Sequence, residues 1–397
     1  MLTPALRFWL LLSLCLLGFG LLYAVVHDAG CGARRRAVQR RIAALGAPLD
    51  AADEVAVESL RDAMAQAQQA LRRTASVAST KRAAKRAAPV PWFLCFGDAA
   101  ANLPGLLATA RGQRVPPAEP VVSVPFTDTW WHWWLTGATV AIELHPAAVG
   151  DTAGTPPVRA LWLQSLLALA VRRDRFPLNG LVVGVAANEL LQADGTELKA
   201  LAARMRHLLD ETGDTLRLQL PTYLVVTGLE RLDGYATVRR ALPPEVLSQV
   251  LGHRLTNPSA FIETPAGERF DAVFEPLAQH LHALRAALLR TQHEATGRLA
   301  VHEFVEALRA LQPGLRQFAQ VLFEPHGKGV RAPRWRGLYL TANASPVGDG
   351  AFVNDLFERF LPADQPLVRP GRPSSNTGHA SRAESLEHTS TTMMGTL

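Results

Sequence analysis

Cysteine is scarce in this chain: there are three, at positions 15, 31 and 95. No pairing or metal-ligand spacing links them. That excludes a disulfide framework and a cysteine-based zinc site, and it is compatible with a reducing compartment. Charge is also sparse, at 19%, and its signs nearly balance, with Lys+Arg 41 against Asp+Glu 35 for a net +6. So small an excess fits a face near anionic lipid or an acidic partner and decides nothing alone. The 12 histidines form no HExxH pair and no paired-carboxylate pattern, and no G-x-S-x-G elbow occurs. Neither a metallohydrolase nor a serine hydrolase has its motif here, and no metal or cofactor is expected. Basic residues are not interleaved with aromatics and form no helix-turn-helix signature, so no nucleic-acid partner is expected. After residue 26, no stretch stays apolar for the roughly 20 residues that a membrane-crossing helix needs.

What is present begins at the N-terminus. Residues 6–26 read LRFWLLLSLCLLGFGLLYAVV, long enough to span a bilayer once. Arg7 precedes this run, while Arg34, Arg35, Arg36, Arg40 and Arg41 follow it. The positive-inside bias therefore places the C-terminal side in the cytoplasm, at a bacterial inner membrane. A rival reading takes Asp28-Ala29-Gly30-Cys31 as a lipoprotein cleavage box, which would export the rest. Asp28, the length of the apolar run and the arginines after Cys31 all weigh against it.

With 397 residues and 48% hydrophobic content, several packed units are affordable. We divide the chain into an anchor at 1–30, a juxtamembrane helical and basic region at 31–88, and an α/β domain at 89–256. A mostly helical extension with a late strand at 257–361 and an unstructured tail at 362–397 complete it. Val57, Leu60, Met64, Ala67 and Leu71 alternate three and four apart, which draws one helical stripe; it is expected to pack on its own domain. Apolar runs at 92–97, 139–144, 180–187 and 221–227 read as strands. They alternate with helical patterns at 103–111, 158–172 and 196–210. Such alternation implies crossover units and a mainly parallel sheet with helices on both faces. Further helices are expected at 267–290, 302–322 and 349–360, with a strand at 337–341. Trp130, Trp131, Trp133 and Trp134 flank His132, and the expectation is that alternate tryptophans lie under the sheet while the others face outward.

The junction after the 92–97 strand reads Gly97-Asp98-Ala99-Ala100-Ala101-Asn102-Leu103-Pro104. A phosphate-binding loop, G-x-x-x-x-G-K-[ST], needs glycines for backbone approach, a lysine for charge and a hydroxyl for magnesium. Only Gly97 survives. Asn102 stands for the second glycine, Leu103 for the lysine and Pro104 for the hydroxyl, and Asp98 adds a negative charge. Losing the lysine alone removes a charge-assisted contact of roughly 1.5–3 kcal/mol.

The surroundings carry a resemblance. Pro91-Trp92-Phe93-Leu94 into Gly97, then Leu106-Leu107, is similar to the PWYLVIG…GKTTLL signature of the IcmF/TssM family, inner-membrane proteins of type VI secretion and related type IV machinery. Trp133-Trp134-Leu135-Thr136 with the next strand resembles WWFTDEAVLLDTAG. Trp162, Arg173, Arg175 and Pro177-Leu178-Asn179-Gly180 resemble W…R-x-R-x-P-L-N-G. Leu220–Thr227, running on to Gly234-Tyr235, resembles LPVYVVFTKxDLxxGF, and the Gly337 strand resembles RGFYFTSG. The ordered set covers roughly 89–345 and is more specific than any one piece.

This likeness implies a P-loop GTPase-like fold. As partners it implies a companion inner-membrane subunit and cytoplasmic baseplate components. The departures fall on nucleotide-handling positions. Glu143 stands at the magnesium-side DTAG motif, and Thr227-Gly228-Leu229-Glu230 replaces the base-gripping TKxD. The literal Asp151-Thr152-Ala153-Gly154 follows no apolar strand and reads as a decoy loop. A retained fold without catalysis, a membrane-anchored scaffold, is the reading that follows. The rival is a working GTPase or ATPase with a rearranged pocket using Asp98 or Asp151. The chain shows no second span or long periplasmic region, so a link to the outer-membrane lipoprotein is not expected.

Overall fold

The computed structural model describes residues 4–45, 51–78, 90–115, 130–150, 155–173, 176–192, 194–255, 264–325, 332–344 and 350–371. Two long helices lead, α1 (Pro4–Leu45) and α2 (Ala51–Ala78). Then come β1 (Trp92–Gly97), α3 (Leu103–Thr109), β2 (Gln113–Val115), β3 (Trp131–Leu135), β4 (Val140–Leu144), α4 (Pro156–Arg172) and β5 (Gly180–Ala186). After these follow α5 (Ala187–Gln192), α6 (Gly195–Leu216), β6 (Leu218–Gln219), β7 (Pro221–Thr227), α7 (Tyr235–Ala241), α8 (Pro244–Ser248) and β8 (Leu251–Arg254). The chain continues through α9 (Ala266–Thr291), α10 (Ala295–Phe323) and β9 (Arg334–Leu340). A π-helical turn (Leu356–Phe360), α11 (Leu361–Ala363) and β10 (Arg369–Pro370) end the described part.

Eight strands form one sheet in the order β2-β3-β4-β1-β5-β7-β9-β8. The five central strands β4, β1, β5, β7 and β9 run parallel, with β3 and β8 antiparallel beside them. β1, β5 and β7 are buried along their whole length. Their unbroken apolar composition follows from having both faces covered. Along β1, Trp92, Leu94 and Phe96 enter the core shared with α2, α4, α6, α9 and α10. Phe93 and Cys95 turn to the other face, under α3 and the 353–361 segment. Each fully buried large apolar side chain contributes roughly 1.5–3 kcal/mol.

Several of the family-like residues brace the strand starts. Asn179 Oδ1 accepts from Trp92 N at 2.9 Å, and Asn179 N donates to Trp92 O at 2.7 Å. Arg173 donates to the same Asn179 oxygen and sits 4.6 Å over the Trp92 ring. Burial lowers the Arg173 pKa to about 10. Arg175 lies outside the described residues.

Three expectations need correction. The 257–361 stretch is not an appended extension, because β9 enters the sheet between β7 and β8, and α9 and α10 fill its core. The tail does not begin at 362. Asp364 is buried and accepts from Tyr223 Oη (2.8 Å) and from Arg336 Nε (2.8 Å) and Nη2 (3.0 Å), with Arg254 also paired to it. Only from 372 onward does the expected tail lie outside the described residues. All four tryptophans are buried, not every second one: Trp130, Trp131 and Trp133 join one core and Trp134 the other.

Helix α1 is continuous through the anchor boundary. Its described apolar side chains, including Trp9, Leu14, Leu17 and Phe19, are exposed. Among the described residues no helix is long and apolar enough to cross a membrane. The expected span at 6–26 lies partly outside them, since the side chains of 6–8, 10 and 23–26 are not described. The second half of α1 docks: Arg34 and Val38 are buried, and Arg35 donates to the carbonyls of Ala170 (3.5 Å) and Val171 (3.1 Å) at the C-terminal end of α4. Those carbonyls have no partner within the helix, so a guanidinium there both satisfies them and opposes the helix dipole. On α2, Met64 and Ala67 are buried in the domain core and Val57 is also buried, as the stripe predicts.

Candidate functional site

In an open parallel sheet, ligands bind beyond the carboxyl ends of the strands. Here those ends belong to β4, β1, β5, β7 and β9. Gly97 closes β1 and leads into a 3₁₀ turn, Ala99–Ala101, whose N-cap is Asp98. A Cβ on Gly97 would meet Gly184 O of β5 at 2.7 Å, so only glycine lets the turn lie this close to the neighbouring strand.

The turn keeps its own amides. Ala101 N donates to Asp98 Oδ1 at 3.1 Å, and Asn102 N donates to Ala99 O at 3.3 Å. Asn102 adopts the left-handed region (φ 44°), which its short amide side chain tolerates. Its Oδ1 accepts from Gly105 N at 3.2 Å, and its carbonyl accepts from Leu106 N. Pro104, which has no N–H to satisfy, sits in the first turn of α3. Leu103 points inward and is buried, and a Cβ on Gly184 would meet its Cδ2 at 2.7 Å. An aliphatic side chain thus fills the ground beside β5 at the position matched to the lysine.

Electrostatics at this edge disfavour an anion. The Asp98 carboxyl is raised above the usual carboxylate range, chiefly by burial, with the Ala101 and its own N–H groups and Arg204 opposing. Glu189 is raised too, by burial first and then by the charges of Asp98 and Glu197.

The β7 end is also occupied. Glu230 Oε2 accepts from Asn343 N at 2.8 Å, and Arg231 lies 3.9 Å from its other oxygen. Thr227 is fully buried, its hydroxyl 3.5 Å from Val185 O. Asn343 is the link between the two ends, because its Nδ2 donates to Asn102 O at 3.3 Å. Ala344 N then donates to Thr109 Oγ1 of α3 at 2.8 Å. Residues 343–344 therefore join the loops after β1, β7 and β9.

Glu143 stands apart from that junction. It is buried beside Cys95 in the β1–β4 register, and it accepts from Trp134 Nε1 at 2.7 Å, with His132 Nδ1 at 3.6 Å. Burial, and then the Glu143 charge, push the Cys95 thiol far above its ordinary range.

The structure thus brings Gly97, Asp98, Asn102, Leu103 and Glu230 to one edge and leaves Glu143 in the core. Asp151–Gly154 lies outside the described residues. Sequence reasoning missed Asn343, Thr109, Glu189 and Arg204. Asn343 stands at the last position of the RGFYFTSG motif, where this chain departs from the motif's glycine. Among the described residues no group of three or more His, Cys, Asp or Glu could hold a metal ion.

Comparison with known proteins agrees with the later motifs, from Trp162 to the Gly337 strand. The IcmF-related N-terminal domain matches residues 158–349. The type VI secretion system component TssM1 of Pseudomonas aeruginosa is 26% identical over 219 residues, covering 54% of this chain and 20% of that protein. The aligned part therefore spans about a fifth of that relative's length. No solved structure matches.

Proposed function

We propose, from the premise that this chain belongs to the IcmF/TssM family, that it is a non-catalytic scaffold subunit of a type VI secretion membrane complex. One observation carries the reading: the loop that would cradle a triphosphate hydrogen-bonds its own amides through Asp98 and Asn102 and is tied by Asn343 to the Glu230 loop. A phosphate would have to break these bonds and face Asp98, with no lysine to offset the charge. The sheet order around β1, with antiparallel β3 outside β4, supports descent from a P-loop GTPase-like plan.

The exposed apolar side chains of α1 support an anchor in the inner membrane, with the domain on the cytoplasmic side. A scaffold needs a fixed geometry, and the Arg34–Val38 docking of α1 on α4 supplies one between anchor and domain. Its partners would be other membrane-complex and baseplate subunits of that system.

A titration of the full chain with fluorescent GTP and ATP in magnesium tests the reading. No saturation is expected up to about millimolar nucleotide, which corresponds to binding weaker than about −4 kcal/mol. Micromolar binding lost on Asp98→Ala would replace the scaffold with a working NTPase.

A further inference from the structure

The path of α1 decides which end of the sheet lies nearest the anchor. α4 joins β4 to β5, and both strands run parallel to β1, so the C-terminal end of α4 lies at the strand starts. Arg35 bonds the carbonyls of Ala170 and Val171 at that end. Further along α1, Arg41 approaches Glu211, whose carboxylate also holds Arg159 in the first turn of α4. α1 therefore runs antiparallel to α4, and its apolar half leaves the domain at the strand starts. At ~1.5 Å per residue, the end of the apolar run at residue 26 lies roughly 13 Å along the helix from Arg35.

The two ends of the sheet differ in charge. At the strand finishes the carboxylates of Asp98, Glu189 and Glu197 gather. At the strand starts, Arg36 on α1, Arg172 at the end of α4 and Arg369 on β10 are exposed. β10 pairs with β6, the strand that follows α6, and Gly371 N donates to Arg217 O in the turn between α6 and β6. Arg172 donates to Gln68 Oε1, a neutral acceptor, and among the described residues Arg36, Arg217 and Arg369 pair with no carboxylate. The carboxylates near them are mostly engaged. Asp364 is taken by Arg254 and Arg336, Asp210 by Arg206, and Glu324 accepts from Ala266 N, which leaves Asp214 and Glu268.

We propose that this strand-start end, through Arg36, Arg172, Arg217 and Arg369, is a contact surface for the anionic phospholipid headgroups of the membrane that holds α1, and that the closed edge after β1 faces away from the bilayer. The proposal rests on the anchor reading above. Basic residues beside an anionic leaflet are attracted to it within about a Debye length, and the tether of α1 keeps the leaflet at hand. An acidic protein would have to reach the same arginines through the gap between domain and bilayer.

Hydrogen–deuterium exchange of the full chain in nanodiscs of phosphatidylcholine, with and without phosphatidylglycerol, tests it. The chain should co-elute with both discs. Phosphatidylglycerol should slow exchange over 213–221 and 367–371 by about threefold or more and leave α7, at the opposite end, unchanged. Raising salt from about 0.05 to about 0.5 M should erase the difference. Arg217→Asn combined with Arg369→Gln should also erase it with an unchanged thermal melt, since asparagine tolerates the left-handed backbone at 217 (φ 50°). Arg240→Gln, on α7, should not. If the double variant melts earlier than the parent, the salt series on the parent chain decides. A chain that co-elutes with neither disc removes the anchor and this contact together. Co-elution with exchange indifferent to phosphatidylglycerol overturns the contact alone and leaves these arginines to an acidic protein. A phosphatidylglycerol effect that survives high salt also overturns it.

Discussion

At Asp98 and Asn102, side-chain oxygens accept backbone N–H groups that a phosphate would otherwise bind. The cost is visible in Asp98, whose carboxyl burial pushes upward. A folded-state pKa above the unfolded value means the native state holds its proton longer, so the ionised form detracts from stability above that pKa and the penalty fades as pH falls through it. Asp98→Asn keeps an oxygen for Ala101 N without the charge. Its melting temperature should exceed that of the parent at neutral pH, and the gap should close on acidification through the carboxylate range. A second residue-scale prediction concerns Asp364, which holds Tyr223, Arg254 and Arg336 together. Removing one partner strands buried charge, so Asp364→Ala should lower stability in chemical denaturation by about 3–5 kcal/mol. Gly97, Asp98, Asn102, Leu103 and Glu230 could be placed from sequence because they sit in motif positions next to apolar strands. Asn343 could not, since a backbone N–H bonded to a distant carboxylate leaves no pattern in residue types.

Among the elements, β1, β5 and β7 were legible because strands buried on both faces must read as unbroken apolar runs. α9 and α10 were legible from their 3.6-residue stripes. β3 escaped because its tryptophans bury on both faces, so no alternation marks it. β8, with Gly252, His253 and Arg254, is half-buried and carries little strand signal. The basic half of α1 was read as a charge signal relative to the membrane, yet it is also a packing element. Val38 is fully buried there. Val38→Asp should release this half of α1 while leaving the sheet domain folded. Limited tryptic cleavage at Arg40 and Arg41 should then be faster, with an unchanged circular dichroism melt for the domain.

Over the whole molecule, the resemblance located the domain, and the sheet corrected its extent. A parallel strand from 334–340 pairs with β7, so the chain up to Asp364 completes one sheet and its cover. Sequence order could not reveal this, because the pairing partner lies more than a hundred residues away. The closed edge of the sheet joins the loops after β1, β7 and β9 within this chain. The central claim is that the amides after β1 are already bonded within the protein. Hydrogen–deuterium exchange over residues 97–106, with and without GTP and magnesium, tests it most directly. The account predicts protection of Ala101, Asn102, Gly105 and Leu106 in the free chain and no change on adding nucleotide. Rapid exchange in the free chain that slows when GTP is added would contradict it.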